Sequence, residues 1–179
     1  MYGEKDLRAQ MNQFFHRTYT HPVDGTTLDM KMLCNWYWYD ETAILETGKG
    51  TKDWNFYRYA ETLLSAAEAI AQSSGVNAEA AGYLAQVKAR ANMEGKDVST
   101  IASELQRLGK QAFIEECWKE RLREFPLEMK IWDDCVRTGK FPQISATNKG
   151  EVQFVDLIGA TNGSGAKFKE TDLYWPCLL

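Results

Sequence analysis

Three sets of side chains in this sequence could do chemistry. Glu120, Glu124 and Glu128 recur every four residues with Arg121 beside them, and on a helix that spacing sets the carboxylates on one face. Glycoside hydrolysis needs two carboxylates flanking the scissile bond, whereas groups on one short helical face point the same way and cannot straddle a sugar. The stripe therefore reads as an ion-pair network, with Arg121 and Arg137 bridging to Glu128 or Asp134. The second set is aromatic: Trp36, Tyr37, Trp38, Tyr39 and Trp54 crowd one short span. Flat sugar faces stack on Trp and Tyr rings, whose N–H and O–H groups also reach hydroxyls. The competing reading is that one side of a strand simply fills the core. The third set is sparse. Cys34, Cys117, Cys135 and Cys177 show no C-x-x-C pair, and His16 and His21 lie in an N-terminal loop away from any E-x-x-H or H-E-x-x-H spacing. Neither pattern supports a metal site or a cofactor. No G-x-S-x-G elbow occurs, and Gly48 and Gly50 lack the context of a phosphate loop. Cys117 and Cys135 fall on apolar helical faces, where a buried, inert thiol is expected.

These residues need elements to hold them. The aromatic run Lys31–Asp40 has few helix signals and is read as a strand, placing Trp36 and Trp38 on one side and Tyr37 and Tyr39 on the other. Only one pair could then face the core, leaving the other, with Trp54, for a ligand or partner. Residues before it are read as a short helix or turn over Asp6–Phe15 and a polar loop with turn chemistry at Pro22 and Asp24-Gly25. Residues 46–53 are a loop. From Phe56 to Asn92 the pattern gives a helix, a tight turn and a second helix. The first arm carries Phe56, Ala60, Leu63, Leu64, Ala67, Ile70 and Ala71 as one apolar stripe, with Asp53 as N-cap and Gly75 at the C-terminus. The second carries Ala80, Leu84, Val87 and Ala91, with Asn77 as cap. Facing alanines allow close antiparallel packing, and the unit has the length of a tetratricopeptide-type repeat. Beyond it, Ser99 or Thr100 caps a helix near Ile101, Gly109 interrupts, and Gln111–Phe125 forms a periodic helix burying Phe113, Ile114, Cys117, Trp118 and Leu122. Pro126 breaks it. A further piece with Ile131, Trp132 and Val136 inward ends at Thr138-Gly139, and the tail is loop-rich with one strand at Val152–Ile158. The fold class is mostly α: a tetratricopeptide-like helix hairpin plus further packed helices, with long loops and a minor β component.

Composition narrows the function. The chain has 179 residues, 44% of them hydrophobic, and a formal charge of −4, enough for a core and unsuited to neutralising phosphates, so no nucleic-acid partner is expected. No apolar run is long enough to span a bilayer.

Several blocks also resemble one family. Arg58-Tyr59-Ala60-Glu61, Leu64 and Ala67-Glu68-Ala69 are similar to the R-Y-A-E-x-x-L-x-x-A-E-A signature of SusD/RagB-like proteins, the outer-membrane nutrient-binding lipoproteins of Bacteroidetes. Tyr83-Leu84 with Val87-Lys88-Ala89-Arg90-Ala91 resembles the family's next helix, with Ala85, Lys88 and Asn92 departing from it. Glu120-Arg121, Glu124-Phe125, Glu128, Trp132, Asp134 and Val136-Arg137-x-Gly139 follow a third block, from which Met129 and Ile131 depart. Asp6-Leu7-Arg8 looks like a D-P-R or D-L-R motif, and the ending DLYWPCLL resembles the family's closing segment. The resemblance implies the C-terminal portion of a SusD-like domain over residues 1–179: a loop and strand lead-in (1–55), a helical core (56–139) and a loop-rich tail (140–179). Family members are longer, so leader, lipid anchor and N-terminal helices are expected to precede Met1. It further implies a non-enzymatic role: capture of glycan or oligosaccharide at the bacterial outer-membrane surface for a SusC-like TonB-dependent transporter, with membrane attachment only through that absent N-terminal lipid. A helical-repeat scaffold for protein partners, without sugar binding, is the alternative. The family's own glycan contacts lie largely outside the matched segments, so the candidate ligand-binding residues Trp36, Tyr37, Trp38, Tyr39 and Trp54 rest on their chemistry alone.

Overall fold

The computed structural model of the chain describes residues 1–145, 147–148 and 150–174. Cys177 and most of the DLYWPCLL ending lie outside the described residues. The architecture is mostly helical with short two-stranded sheets, and it divides into two compact units, residues 2–120 and residues 121–179 with Met1.

In the first unit, Asp6 caps a single 3-10 turn, Leu7–Ala9, by accepting the Arg8 N–H. A hairpin follows: β1, Phe15–Thr20, pairs antiparallel with β2, Thr27–Asn35. The segment read from sequence as a polar loop is therefore β1, the turn carrying Asp24-Gly25, and the start of β2. The two strands pair at both ends, but the register jumps from His16↔Cys34 to Thr18↔Asp29. Residues 30–33 bulge out between these pairs, with Lys31 at φ 63° and Met32 and Leu33 exposed.

Helix α1, Tyr59–Ser74, and α2, Ala78–Ala91, form the antiparallel hairpin that the apolar spacing predicts. Leu63, Leu64, Ala67 and Ala71 of α1 and Ala80, Ala81, Leu84, Ala85, Val87 and Ala91 of α2 are buried; small side chains let the backbones approach. Gly75, at φ 82°, closes α1, where a side chain would be strained. Asn77 caps α2 as expected, accepting the Ala80 N–H at 2.9 Å. The start of α1 differs from expectation. Residues 52–58 are not helical, Arg58 occupies the N-cap position with extended backbone, and Phe56 is exposed rather than on the core stripe. Helix α3, Val98–Leu105, is capped by Asp97, not Ser99 or Thr100: its carboxylate accepts the Thr100 N–H at 2.8 Å. An ionised acceptor at a helix N-terminus outcompetes a hydroxyl two or three residues later. Gly109 then separates α3 from α4, Lys110–Glu124, which buries Phe113, Ile114 and Cys117.

The second unit begins within α4 at Arg121. The helix stops before Pro126, as the missing donor requires, and α5, Ile131–Thr138, ends at Gly139 (φ 66°). Ile131, Trp132 and Val136 are not inward: each is about two-fifths exposed, and Cys135 is the residue α5 buries. A helix of two turns has room for little more than one core residue, and Trp132 instead lays its ring against Phe168 at 5.7 Å. Strand β3, Lys140–Ile144, pairs with β4, Val152–Asp156. The sequence reading gives a strand at Val152–Ile158, which contains β4, and places β3 in loop; β3 carries Pro142. In a two-stranded sheet every strand is an edge, so proline is tolerated there.

Candidate functional site

The aromatic run is not a strand. Strand β2 ends at Asn35, and the next residues make a tight turn: the Tyr39 N–H donates to Trp36 O at 2.9 Å, and Asn35 Oδ1 accepts from Trp38 N. The turn is fixed from below by Phe14, whose carbonyl accepts the N–H groups of both Trp36 and Tyr37. Alternation is therefore lost. Trp36 stacks on Tyr39, centroids 4.0 Å apart and planes within 8°, instead of pairing with Trp38. Tyr37 stands edge-on to both Trp38 and Phe14, at 4.9 and 5.4 Å.

The following loop returns to this turn under the control of two residues that sequence reasoning passed over. Asp40 accepts hydrogen bonds from Thr51 N at 2.8 Å, Thr51 Oγ1 at 3.2 Å and Ala43 N at 3.3 Å. Those donors, the Thr51 and Ala43 amides first, hold its carboxyl below the usual carboxylate range. Lys52 then donates to Tyr37 O at 2.6 Å and Tyr39 O at 3.4 Å while its ammonium lies 5.8 Å from the Tyr37 ring centre. Pinned there, the chain delivers Trp54 onto Trp38, centroids 4.6 Å apart and planes within 7°. This tethering is also why Asp53 does not cap α1. Asp40 carried a legible signal, as an Asx-type turn residue ahead of Thr42 and Ala43; Lys52 carried none, because its acceptors are main-chain oxygens far back in sequence.

Together these segments line an open cleft of about 660 Å³, formed by Asn12, Gln13 and Phe14, by Trp36–Tyr39, and by Lys52, Asp53 and Asn55. Four of the five candidate aromatics thus line one cleft, half-buried. Trp54, 48% exposed, is not on its wall but backs Trp38.

The carboxylate stripe is used differently. Glu120, 1% exposed, is held by the Arg8 guanidinium at 2.8 Å. Arg8 is also gripped by Asp6 through Nε at 2.9 Å and a terminal nitrogen at 2.8 Å. Lys88 of α2 pairs with Glu116 and lies 3.9 Å from Glu120. Burial alone would lower the Arg8 pKa; its hydrogen bonds to Asp6 and the charge of Glu120 outweigh that and raise the pKa above its ordinary value. In the second unit, Arg121 bonds Asp134 at 2.7 Å and Arg137 bonds the same carboxylate at 3.1 Å. The network expected from spacing is present, but Glu120 is paired with Arg8, from the opposite end of the sequence. Cys117 and Cys135 are buried with free thiols. Desolvation, and for Cys135 the charge of Asp134, pushes both thiols up, Cys135 to about 11. Among the described residues no three His, Cys, Asp or Glu side chains converge as a metal site would require, and no helix is long and apolar enough to cross a membrane.

Similarity to known proteins gives this mostly helical scaffold a family. The SusD family model matches residues 5–175. The structure superimposes on a crystal structure of a SusD superfamily protein from Parabacteroides distasonis with a TM-score of 0.77 and 27% identity, over 96% of this chain and 36% of the other. No curated protein sequence matches the chain. The chain belongs to the SusD family. It spans about a third of the length of that solved relative.

Proposed function

We propose that this chain is the C-terminal portion of a glycan-capturing protein at the bacterial outer-membrane surface, handing oligosaccharide to a SusC-like TonB-dependent transporter without chemical turnover. Family membership supports nutrient-glycan binding, and one observation bears on where this chain takes part: the aromatic cleft at Trp36–Tyr39. Its wall combines ring faces with carboxamides, the two kinds of group that grip a sugar's apolar face and its hydroxyl edge. The non-catalytic reading is supported by Glu120, which sits in a saturated ion-pair network with no opening toward a substrate. Isothermal titration of the chain against a panel of oligosaccharides tests the proposal. Binding weakened at least tenfold by Trp38→Ala, about the worth of one stacked ring, supports it; binding indifferent to Trp38 places the ligand elsewhere. Phe56, Tyr57 and Tyr59, all more than 70% exposed just beyond the cleft, favour a second reading as a protein-docking scaffold, and association with a protein partner and no glycan affinity would select it.

A further inference from the structure

The residues lining the cleft reach it by two routes. Asn12, Gln13 and Phe14 and the turn Trp36–Tyr39 flank the β1–β2 hairpin, whereas Lys52, Asp53 and Asn55 arrive on the segment that follows Asp40. No residue from Glu41 to Tyr57 is buried, and only Ala43 among them is partly covered. A stretch that hides so little surface draws little from the hydrophobic effect and belongs with the parts of a fold that open locally at low cost. What brings it back is polar. Asp40 Oδ2 accepts the Thr51 N–H at 2.8 Å and the Thr51 hydroxyl at 3.2 Å, while Oδ1 accepts the Ala43 N–H at 3.3 Å. One carboxylate thus holds both the start and the return of the segment. Directly after Thr51 come the Lys52 bond to Tyr37 O and the stack of Trp54 on Trp38.

Resting on the glycan reading above, we infer that residues 41–57 are a strap whose closure completes the cleft, and that Asp40 is the positioning residue through which ligand affinity runs. A carboxylate suits the task, because its two oxygens accept several donors at once and its charge strengthens each bond. With the strap held, Lys52, Asp53 and Asn55 are in place before a ligand arrives. With the strap released, those three residues leave the cleft and Trp38 loses the ring behind it. A ligand that touches residues from both routes in turn favours the closed strap, since binding to one of two states shifts the population toward it.

The test compares the 179-residue chain with its Asp40→Ala variant by calorimetric titration of the oligosaccharide that the unaltered chain binds best, by amide hydrogen exchange and by urea unfolding. Apparent affinity falls by the fraction of molecules in the competent arrangement, so Asp40→Ala is expected to weaken binding roughly tenfold or more. The near-ultraviolet dichroism of the Trp38–Trp54 stack should fade with it. Asp40 is not a buried residue, so the unfolding midpoint should move little. In the unaltered chain, saturating oligosaccharide should slow exchange at the Thr51 and Ala43 amides, a response that a merely structural aspartate would not produce. Affinity untouched by Asp40→Ala, exchange at those amides unmoved by ligand, or a midpoint that falls in step with affinity overturns the strap. An unaltered chain that binds no oligosaccharide overturns the glycan reading itself and this inference with it, an outcome distinct from binding that ignores Asp40.

Discussion

The chain holds two concentrations of polar and aromatic side chains, and they are built on opposite terms. Around Glu120 the charges are answered from within: Arg8 joins Asp6 to the buried Glu120, and Lys88 joins Glu116. Around Trp38, the answering is confined to the underside. Lys52 and Asp40 spend their hydrogen bonds on the main chain and the Thr51 hydroxyl, and half-buried rings line the cleft with exposed carboxamides. The carboxylates are answered by internal cations, as framework charges are, while the proposed ligand role rests on the aromatics that line the cleft.

The contrast breaks most readily at Arg8. Arg8→Ala leaves Glu120 buried and short of its charge partner, and should lower stability by about 3 to 5 kcal/mol in urea unfolding; an unchanged midpoint would show the network to be solvent-relaxed. Trp38→Ala comes next. It removes a stack worth about 0.5 to 1.5 kcal/mol, so the unfolding midpoint should move far less than for Arg8→Ala while glycan affinity drops, and a loss of stability matching that of Arg8→Ala would make Trp38 framework too. Lys52→Met sharpens the comparison further: stability should change by less than about 1 kcal/mol, yet the near-ultraviolet dichroism of the stacked Trp38 and Trp54 should fade as the turn loosens. Persistence of that signal would deny Lys52 its tethering role.

The smallest effect is one of pH. The carboxyls of Asp40 and Asp97 are held below their ordinary pKa, by the Thr51 and Thr100 amides first. A depressed folded pKa contributes stability that is present above the unfolded value, about 3.9, and is lost as pH falls through the folded value. The melting temperature should accordingly fall below about pH 4, less steeply in Asp97→Asn. Identical slopes in the two proteins would remove Asp97 from the account.

Legibility in the sequence followed the range of the interactions. The hairpin of α1 and α2, the Asn77 cap, the break at Pro126 and the stop at Gly139 are decided by residues within a turn of each other, and all were readable. The Trp36–Tyr39 turn was not, because it is fixed by the carbonyl of Phe14 and the ammonium of Lys52, which no local pattern of aromatics reveals. Strand β1 was missed for a related reason. Only His16 of its six residues is buried, so no alternation of apolar and polar residues marks it. The partner of Glu120 was likewise out of reach: four-residue spacing announces a charged helical face but says nothing of an arginine near the other end of the chain.

That arginine also constrains the order of events in folding. The Arg8–Glu120 bond closes a separation of 112 residues, and the bridge of Asp6 to Asn92 and the Met93 N–H donated to Lys5 O close comparably long ones. Contacts this distant in sequence must wait until the helices between them have assembled, since loop-closure entropy is charged before the bond forms. The first ten residues thus act as a late-closing latch. Arg8→Ala should then show its effect chiefly as faster unfolding, with the refolding arm of the chevron nearly unmoved, and a refolding rate slowed in proportion to the lost stability would place the latch in the folding nucleus instead.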